Sequence, residues 1–202
     1  METFDYFGRR EHNNVRRNMW RITGRKVISK MMKYIIRPVI ENDIAFLWDM
    51  LYESLFAPEG QEPFNKEIIN EPLISKYVEG WGRPGDFGFI AMNNEDKPVG
   101  SVTARYFSES NKGYGFIDKD VPELGMAILK EYRGTGIGTA LLEELFKEAR
   151  RKKIGRISLS VDPSNKAAMR LYQRFGFEEV GKIGTSLTMV ANLVDFDGQD
   201  RN

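Results

Sequence analysis

Apolar residues recur along this chain in two rhythms, and each change of rhythm marks an element. In "ENDIAFLWDMLYESLF", Ile44, Leu47, Leu51 and Leu55 fall at three- and four-residue steps, which predicts a helix with Asn42 or Asp43 as its cap. Before it, "KYIIRPV" predicts a short strand closed by Pro38. After it, Pro58, Pro63 and Pro72 punctuate a loop, and "PLISKYVEG" predicts a short helix with Pro72 at its first position. "WGRPGD" is a turn. "DFGFIAMN" and "KPVGSVTARYF" form two strands joined through "NEDK", a hairpin signature.

"SESNKGYGFIDKD" predicts a second loop, and "PELGMAILK" a strand feeding directly into a glycine-rich stretch. A long amphipathic helix follows, to about Lys152, then strand "GRISLSV" and helix "PSNKAAMRLYQRF". "GFEEVGKIGTSLTMVANL" closes the chain with one or two strands. The order β-α-α-β-β-β-α-β-α-β predicts an α/β fold: a mixed sheet, antiparallel in its first half, with a right-handed crossover around the long helix.

Residues 1–32 stand apart as a basic extension, before a domain at 33–192 and a tail at 193–202. The first 33 residues hold nine Lys or Arg against Glu2, Asp5 and Glu11, so the head carries +6 and the rest −5 of a net +1. Only Val15, Met19, Trp20 and Ile22 hint at an apolar stripe there, and Gly24 interrupts it. A solvated extension is the expectation, with nucleic-acid binding as the secondary one. Met31 or Met32 is an alternative start. No apolar run approaches the roughly 18 residues of a membrane span. The basic start lacks a secretory signal's apolar region, and a cytoplasmic location is expected.

Composition removes whole classes of chemistry. Cysteine is absent and His12 is the single histidine. Thiol nucleophiles, cysteine or multi-histidine metal centres and Ser-His-Asp triads are thereby set aside, and no metal is expected. Proton transfer falls to carboxylates, tyrosine, lysine or water.

The glycine-rich stretch is "EYRGTGIGTALLEELFKEAR", residues 131–150. Gly134 and Gly136 permit positive φ, and Gly138 lets the first helical turn pack closely. Free amides and the positive helix end make an anion site, to which Arg133 adds charge. A Walker loop is excluded, since Ile137-Gly138-Thr139-Ala140 offers no lysine. The dinucleotide fingerprint fails on Thr139 and on its late position in the chain.

Together with the downstream "VDPSNKAAMRLYQRFGFEEVG", this stretch resembles the GCN5-related N-acetyltransferases. Arg133-Gly-Thr-Gly136-x-Gly138 is similar to their motif A, and Asn165, Ala168, Tyr172 and Gly176-Phe177 to their motif B. The resemblance covers about residues 33–192. It implies a splayed sheet that holds acetyl-CoA as acyl donor. The pyrophosphate would lie on the amides of Gly134, Thr135, Gly136, Ile137, Gly138 and Thr139. The pantetheine arm would lie along Met126, Ala127 and Ile128, with Asn165 and Ala168 nearby. An amide near Ile128 would hold the oxyanion.

In the implied reaction, Tyr172 is the candidate general acid, or else a core aromatic on its helix. Glu123 is the candidate base, or else a strand-edge charge, with Asp118, Asp120 and Glu109 as substitutes. Trp81, Arg105, Tyr114 and Phe116 are candidate acceptor walls, with Arg83 and Tyr106 behind them. Arg105 facing a cleft would suit an acceptor carboxylate, although Trp81 and Arg83 also read as packing and turn residues. The expected activity is acetyl transfer to a primary amine of a small molecule or protein, in a ternary complex. The alternative is a non-catalytic acyl-CoA-binding module. Family members are often dimers, so a homodimer is also entertained.

Overall fold

The computed structural model describes residues 34–57 and 60–193. The basic extension at 1–32 and all of the predicted tail except Leu193 lie outside the described residues.

Seven strands form one open sheet in the order β1-β2-β3-β4-β5-β7-β6. They are β1 (Ile35–Pro38), β2 (Phe87–Met92), β3 (Pro98–Arg105), β4 (Glu123–Ile128), β5 (Arg156–Val161), β6 (Phe177–Ile183) and β7 (Ser186–Asn192). The helices are α1 (Ile44–Ser54), α2 (Pro72–Ser75), α3 (Ile137–Arg151) and α4 (Lys166–Arg174). The predicted first half is antiparallel, as β1 to β4 pair in sequence. The closing segment makes two strands, and the second inserts between β5 and the first. β6 therefore becomes the sheet edge, and its sequence FEEVGKI suits that place because all but Phe177 are exposed.

Alternation along the strands divides the core in two. Val102, Ala104 and Leu124 face α3, whose Leu141, Leu142, Leu145 and Ala149 are fully buried. Each such leucine contributes about 2 kcal/mol through apolar burial. On the other face, Leu47 and Leu51 of α1 and Ile74 of α2 close over Ile90.

Two expected local features came out differently. Asp43 does not cap α1 through its side chain. Its carboxylate accepts instead from the Ile40 amide at 2.9 Å and from Arg37 at 2.6 and 2.8 Å. A bidentate guanidinium outcompetes a single helix amide for the same oxygens. The second is Arg105, whose side chain is 2% exposed. It donates to both oxygens of Asp86 at 3.0 and 2.7 Å, and to the carbonyls of Lys76 and Glu79 at 2.7 and 2.8 Å. Trp81 stacks over it with 5.2 Å between guanidinium and ring centroid. Arg105 thus ties the end of β3 to the segment after α2, and this geometry assigns it to the scaffold instead of an acceptor carboxylate.

Candidate active site

The decisive feature is where the sheet comes apart. β4 and β5 run parallel and pair at one register position, Glu123 with Ser158. The Ser158 amide donates to the Pro122 carbonyl at 3.0 Å. Backbone groups on one edge of a strand recur every second residue, so those of Met126 and Ile128 also point toward β5. Beyond Glu123 no β5 residue is in register with them. Ala127 turns the other way, in register with Ser101 of β3. Of the three residues expected along the acyl donor, Met126 and Ile128 therefore present backbone to the gap. The Ile128 carbonyl is already engaged by Arg133 Nε at 2.8 Å.

The glycine stretch opens beside the gap. Gly134 and Gly136 have φ of +76° and +91°, a region that side-chain-bearing residues rarely enter. Gly136 precedes α3, and the first α-helical bond runs from the Ala140 amide to its carbonyl at 3.1 Å. The amides of Ile137, Gly138 and Thr139 are thus without intrahelical partners, at the positive end of a fifteen-residue helix. Thr135 holds the turn by donating to the Tyr132 carbonyl at 2.6 Å. Arg133 is braced as well as charged, since it also meets Glu53 of α1 at 2.9 Å.

α4 closes the same place from the other side. A β-carbon on Gly138 would come within 3.0 Å of Leu171 Cδ2 and 3.3 Å of Ile128 Cδ1. The start of α3, the end of β4 and the middle of α4 thus meet at one point. Asn165 caps α4 by accepting from the Ala168 amide at 3.2 Å. Tyr172, next to Leu171, is 6% exposed, with its ring edge-on to Phe177 at 5.5 Å. Burial pushes its phenol above the ordinary value, so it stays protonated.

Glu123 lies at the parting of the strands, 4% exposed. Its Oε1 accepts from the Tyr77 hydroxyl at 2.7 Å and the Gly115 amide at 2.8 Å. Its Oε2 is buried and has no hydrogen-bond partner among the described residues. The same is true of Ser158 Oγ, on its register partner in β5. Burial pushes the Glu123 carboxyl up to about 7, although Tyr77, Gly115 and Lys76 all pull it down. The loop after β3 fits against this carboxyl only because it is bare. A β-carbon on Gly113 would overlap Oε2, and one on Gly115 would come within 2.5 Å of the Leu159 carbonyl carbon.

Other candidates are arranged around this loop. The Tyr114 amide donates to the Tyr77 oxygen at 2.6 Å. Tyr114 also lines a cavity of about 210 Å³ with Leu73, Lys76, Lys112, Gly113 and Ile183. Phe116 is half-buried beneath Lys112, whose Nζ lies 5.1 Å from its ring centroid. Trp81 lines a separate cavity of about 400 Å³ with Val39, Ile40 and Phe87. Sequence reasoning passed over Lys76 and Tyr77. Lys76 donates to the Lys112 carbonyl, and burial lowers its pKa. Both stand in "PLISKYVEG", where helical spacing reads them as ordinary surface and core positions. Nothing local marks them.

The profile of the Acetyltransferase (GNAT) family matches residues 44–177. An uncharacterized N-acetyltransferase of Methanocaldococcus jannaschii is 26% identical over 172 residues, covering 83% of this chain and 71% of that protein. N-alpha-acetyltransferase 30 of Schizosaccharomyces pombe is 30% identical over 127 residues, 61% of this chain and 73% of that protein. Among solved structures, the GNAT domain of S. lividans PAT superposes with a TM-score of 0.62 at 15% identity, covering 84% of this chain and 96% of that one. That likeness concerns the fold, and it includes the mixed, open sheet. With the family profile spanning about two thirds of its length, this chain belongs to the GNAT acetyltransferase family.

Proposed function

We propose that the protein transfers an acetyl group from acetyl-CoA to a primary amine of a small molecule or protein, by direct attack in a ternary complex. The observation that carries this reading is Glu123: a buried carboxyl brought to about 7, standing where β4 and β5 part. A base with that value is half ionised near neutrality, where it both accepts and gives up a proton readily.

The family's acyl donor fits the chain on two counts. The bare turn at 134–136 leads into unpartnered amides suited to phosphate, and the edge of β4 at Met126 and Ile128 lacks a strand partner. Acetyl-CoA supplies a thioester already reactive toward amines, so orientation and proton handling are what the protein must add. In this reading the amides of residues 134–139 hold the pyrophosphate. The backbone of Met126 and Ile128 aligns the pantetheine arm, near Asn165 and Ala168. The Ile128 amide stabilises the acyl oxygen as it gains charge in this reading. Glu123 takes a proton from the acceptor ammonium and frees the lone pair that attacks. Tyr172, kept neutral by burial, gives its proton to the departing thiolate.

Steady-state release of CoA from acetyl-CoA, measured against a panel of small amines and peptide N termini, tests the proposal. Amine-dependent release is expected. Tight binding of acetyl-CoA by calorimetry, with no release for any amine, would identify a non-catalytic acyl-CoA-binding module. Tyr172→Phe separates the phenol's two roles. If it is the acid, kcat falls at least tenfold while the KM for acetyl-CoA barely changes, because the hydroxyl acts only as the thiolate leaves. A kcat within about twofold of wild type would make Tyr172 a packing residue.

A further inference from the structure

We propose that Tyr77 is a positioning residue for Glu123: with the Gly115 amide it occupies Oε1, leaving Oε2 as the atom that receives the acceptor's proton. The inference rests on the reading of Glu123 as the base. Its geometry is independent of that reading.

Hydrogen-bond direction decides which oxygen of the buried carboxylate is left without a donor. The Tyr114 amide points at the Tyr77 oxygen at 2.6 Å, and an N–H can only donate. The phenol's own proton is thereby left to Glu123, 2.7 Å away. Gly115 adds a second donor on the same Oε1 at 2.8 Å. A proton placed on Oε1 would face one of these two hydrogens. Oε2 has no donor among the described residues. When Glu123 takes a proton, one N–H bond of the ammonium breaks, one O–H bond forms at Oε2, and nitrogen keeps the pair that attacks.

The same contacts fix where the carboxylate stands. Glu123 is on β4, Tyr77 follows α2, and Tyr114 and Gly115 belong to the loop after β3. Tyr77 joins these three segments through one oxygen, while Phe107 holds its ring edge-on at 4.9 Å. On the loop after β3, Lys112 is paired with Glu109, and Asp118, Lys119 and Asp120 are exposed. Lys76 lies on the same segment as Tyr77 and attracts the carboxylate. Arg105, the register neighbour on β3, is paired with Asp86, and β5 presents the neutral Ser158. On α1, Asp49 is exposed and Glu53 meets Arg133. Tyr77 is the one hydroxyl donor to Glu123 among the described residues.

The test compares Tyr77→Phe with wild type and Glu123→Gln from pH 5 to pH 10, reading kcat/KM and stability to denaturant at each pH. Phenylalanine keeps the ring and its packing on Phe107. Without the hydroxyl, the ionised carboxylate loses a charge-assisted donor, so the acid limb of kcat/KM moves up by about one pH unit. The rate is then about tenfold lower near pH 6 and within about threefold of wild type above pH 9, with the KM for acetyl-CoA unchanged. The pH dependence of stability moves up with it. The acceptor's own ionisation cancels between variant and wild type. A melting temperature that falls while the limb stays in place would give Tyr77 a merely structural role and overturn the inference. If Glu123→Gln is inactive and Tyr77→Phe leaves the limb unmoved, the base reading survives and only the inference falls. If Glu123→Gln keeps full activity, the base reading fails and takes the inference with it.

Discussion

Glu123→Gln is expected to lower kcat/KM by about 10²- to 10⁴-fold, the range for loss of a general base. The substitution keeps the shape of the side chain, and its amide oxygen can still accept from Tyr77 and Gly115. What disappears is the ability to take a proton. In the wild type, kcat/KM should rise with pH through a limb near 7 and level off above it, because only the ionised carboxylate acts as a base. The variant should lack that limb. Stability supplies a second reading of the same group. Folding raises the carboxyl from its ordinary 4.5 to about 7, so the buried site favours the neutral acid. The group's contribution is fully present below pH 4.5 and is lost as pH rises through 7, a change of about 3 kcal/mol. Glu123→Gln should remove that pH dependence between about 4.5 and 7. A variant within threefold of wild-type kcat/KM would show that Glu123 is a scaffold residue and not the base.

Gly136→Val is expected to weaken CoA binding by at least a hundredfold, as seen by calorimetry. The reason is conformational. A β-carbon at this position would touch only the Tyr34 hydroxyl, at 3.5 Å, so space is not what forbids it. The backbone at φ +91° and ψ −7° is the obstacle, since a β-branched residue there is strained by about 1–3 kcal/mol or more. The turn would rearrange to relieve that strain. The amides of Ile137, Gly138 and Thr139, which the turn aims, would no longer converge on one anion. Gly136→Asn provides the graded comparison, because asparagine tolerates the left-handed region better than valine. It should fall between wild type and valine in affinity. Unchanged affinity in a folded Gly136→Val protein would remove the phosphate cradle from the proposal.

Much of this architecture is legible one segment at a time. The helical stripe of α1, the proline that opens α2 and the positive-φ glycines before α3 are set by interactions within a few residues. Local periodicity and stereochemistry therefore report them directly. The Asn165 cap of α4 is equally local, its partner three residues away, although sequence reasoning gives Asn165 only a place beside the pantetheine arm. The family motifs are local too, which is why the residues proposed for the acyl donor come from the sequence. Asp43 marks the limit even at short range, because Arg37 competes for its carboxylate and takes it from the helix.

The proposed acceptor side rests on tertiary structure alone. Glu123 is a candidate base by its place on a strand, but its value near 7 comes from burial that outweighs the pull of Tyr77, a donor 46 residues away. From sequence, Arg105 is a candidate ligand for an acceptor carboxylate because a charged strand residue facing a cleft would suit one. It is spent on Asp86 and on two carbonyls that the turn after α2 delivers. Met126 and Ile128 are distinguished from Ala127 only once β3 is known to occupy one edge of β4 and β5 to leave the other. Sequence by itself determined the elements, the glycine turn and the family, because each depends on neighbours along the chain. Which carboxylate is buried, which arginine is satisfied and which strand edge is open depend on segments brought together from distant parts of the chain, and only the folded sheet decides them.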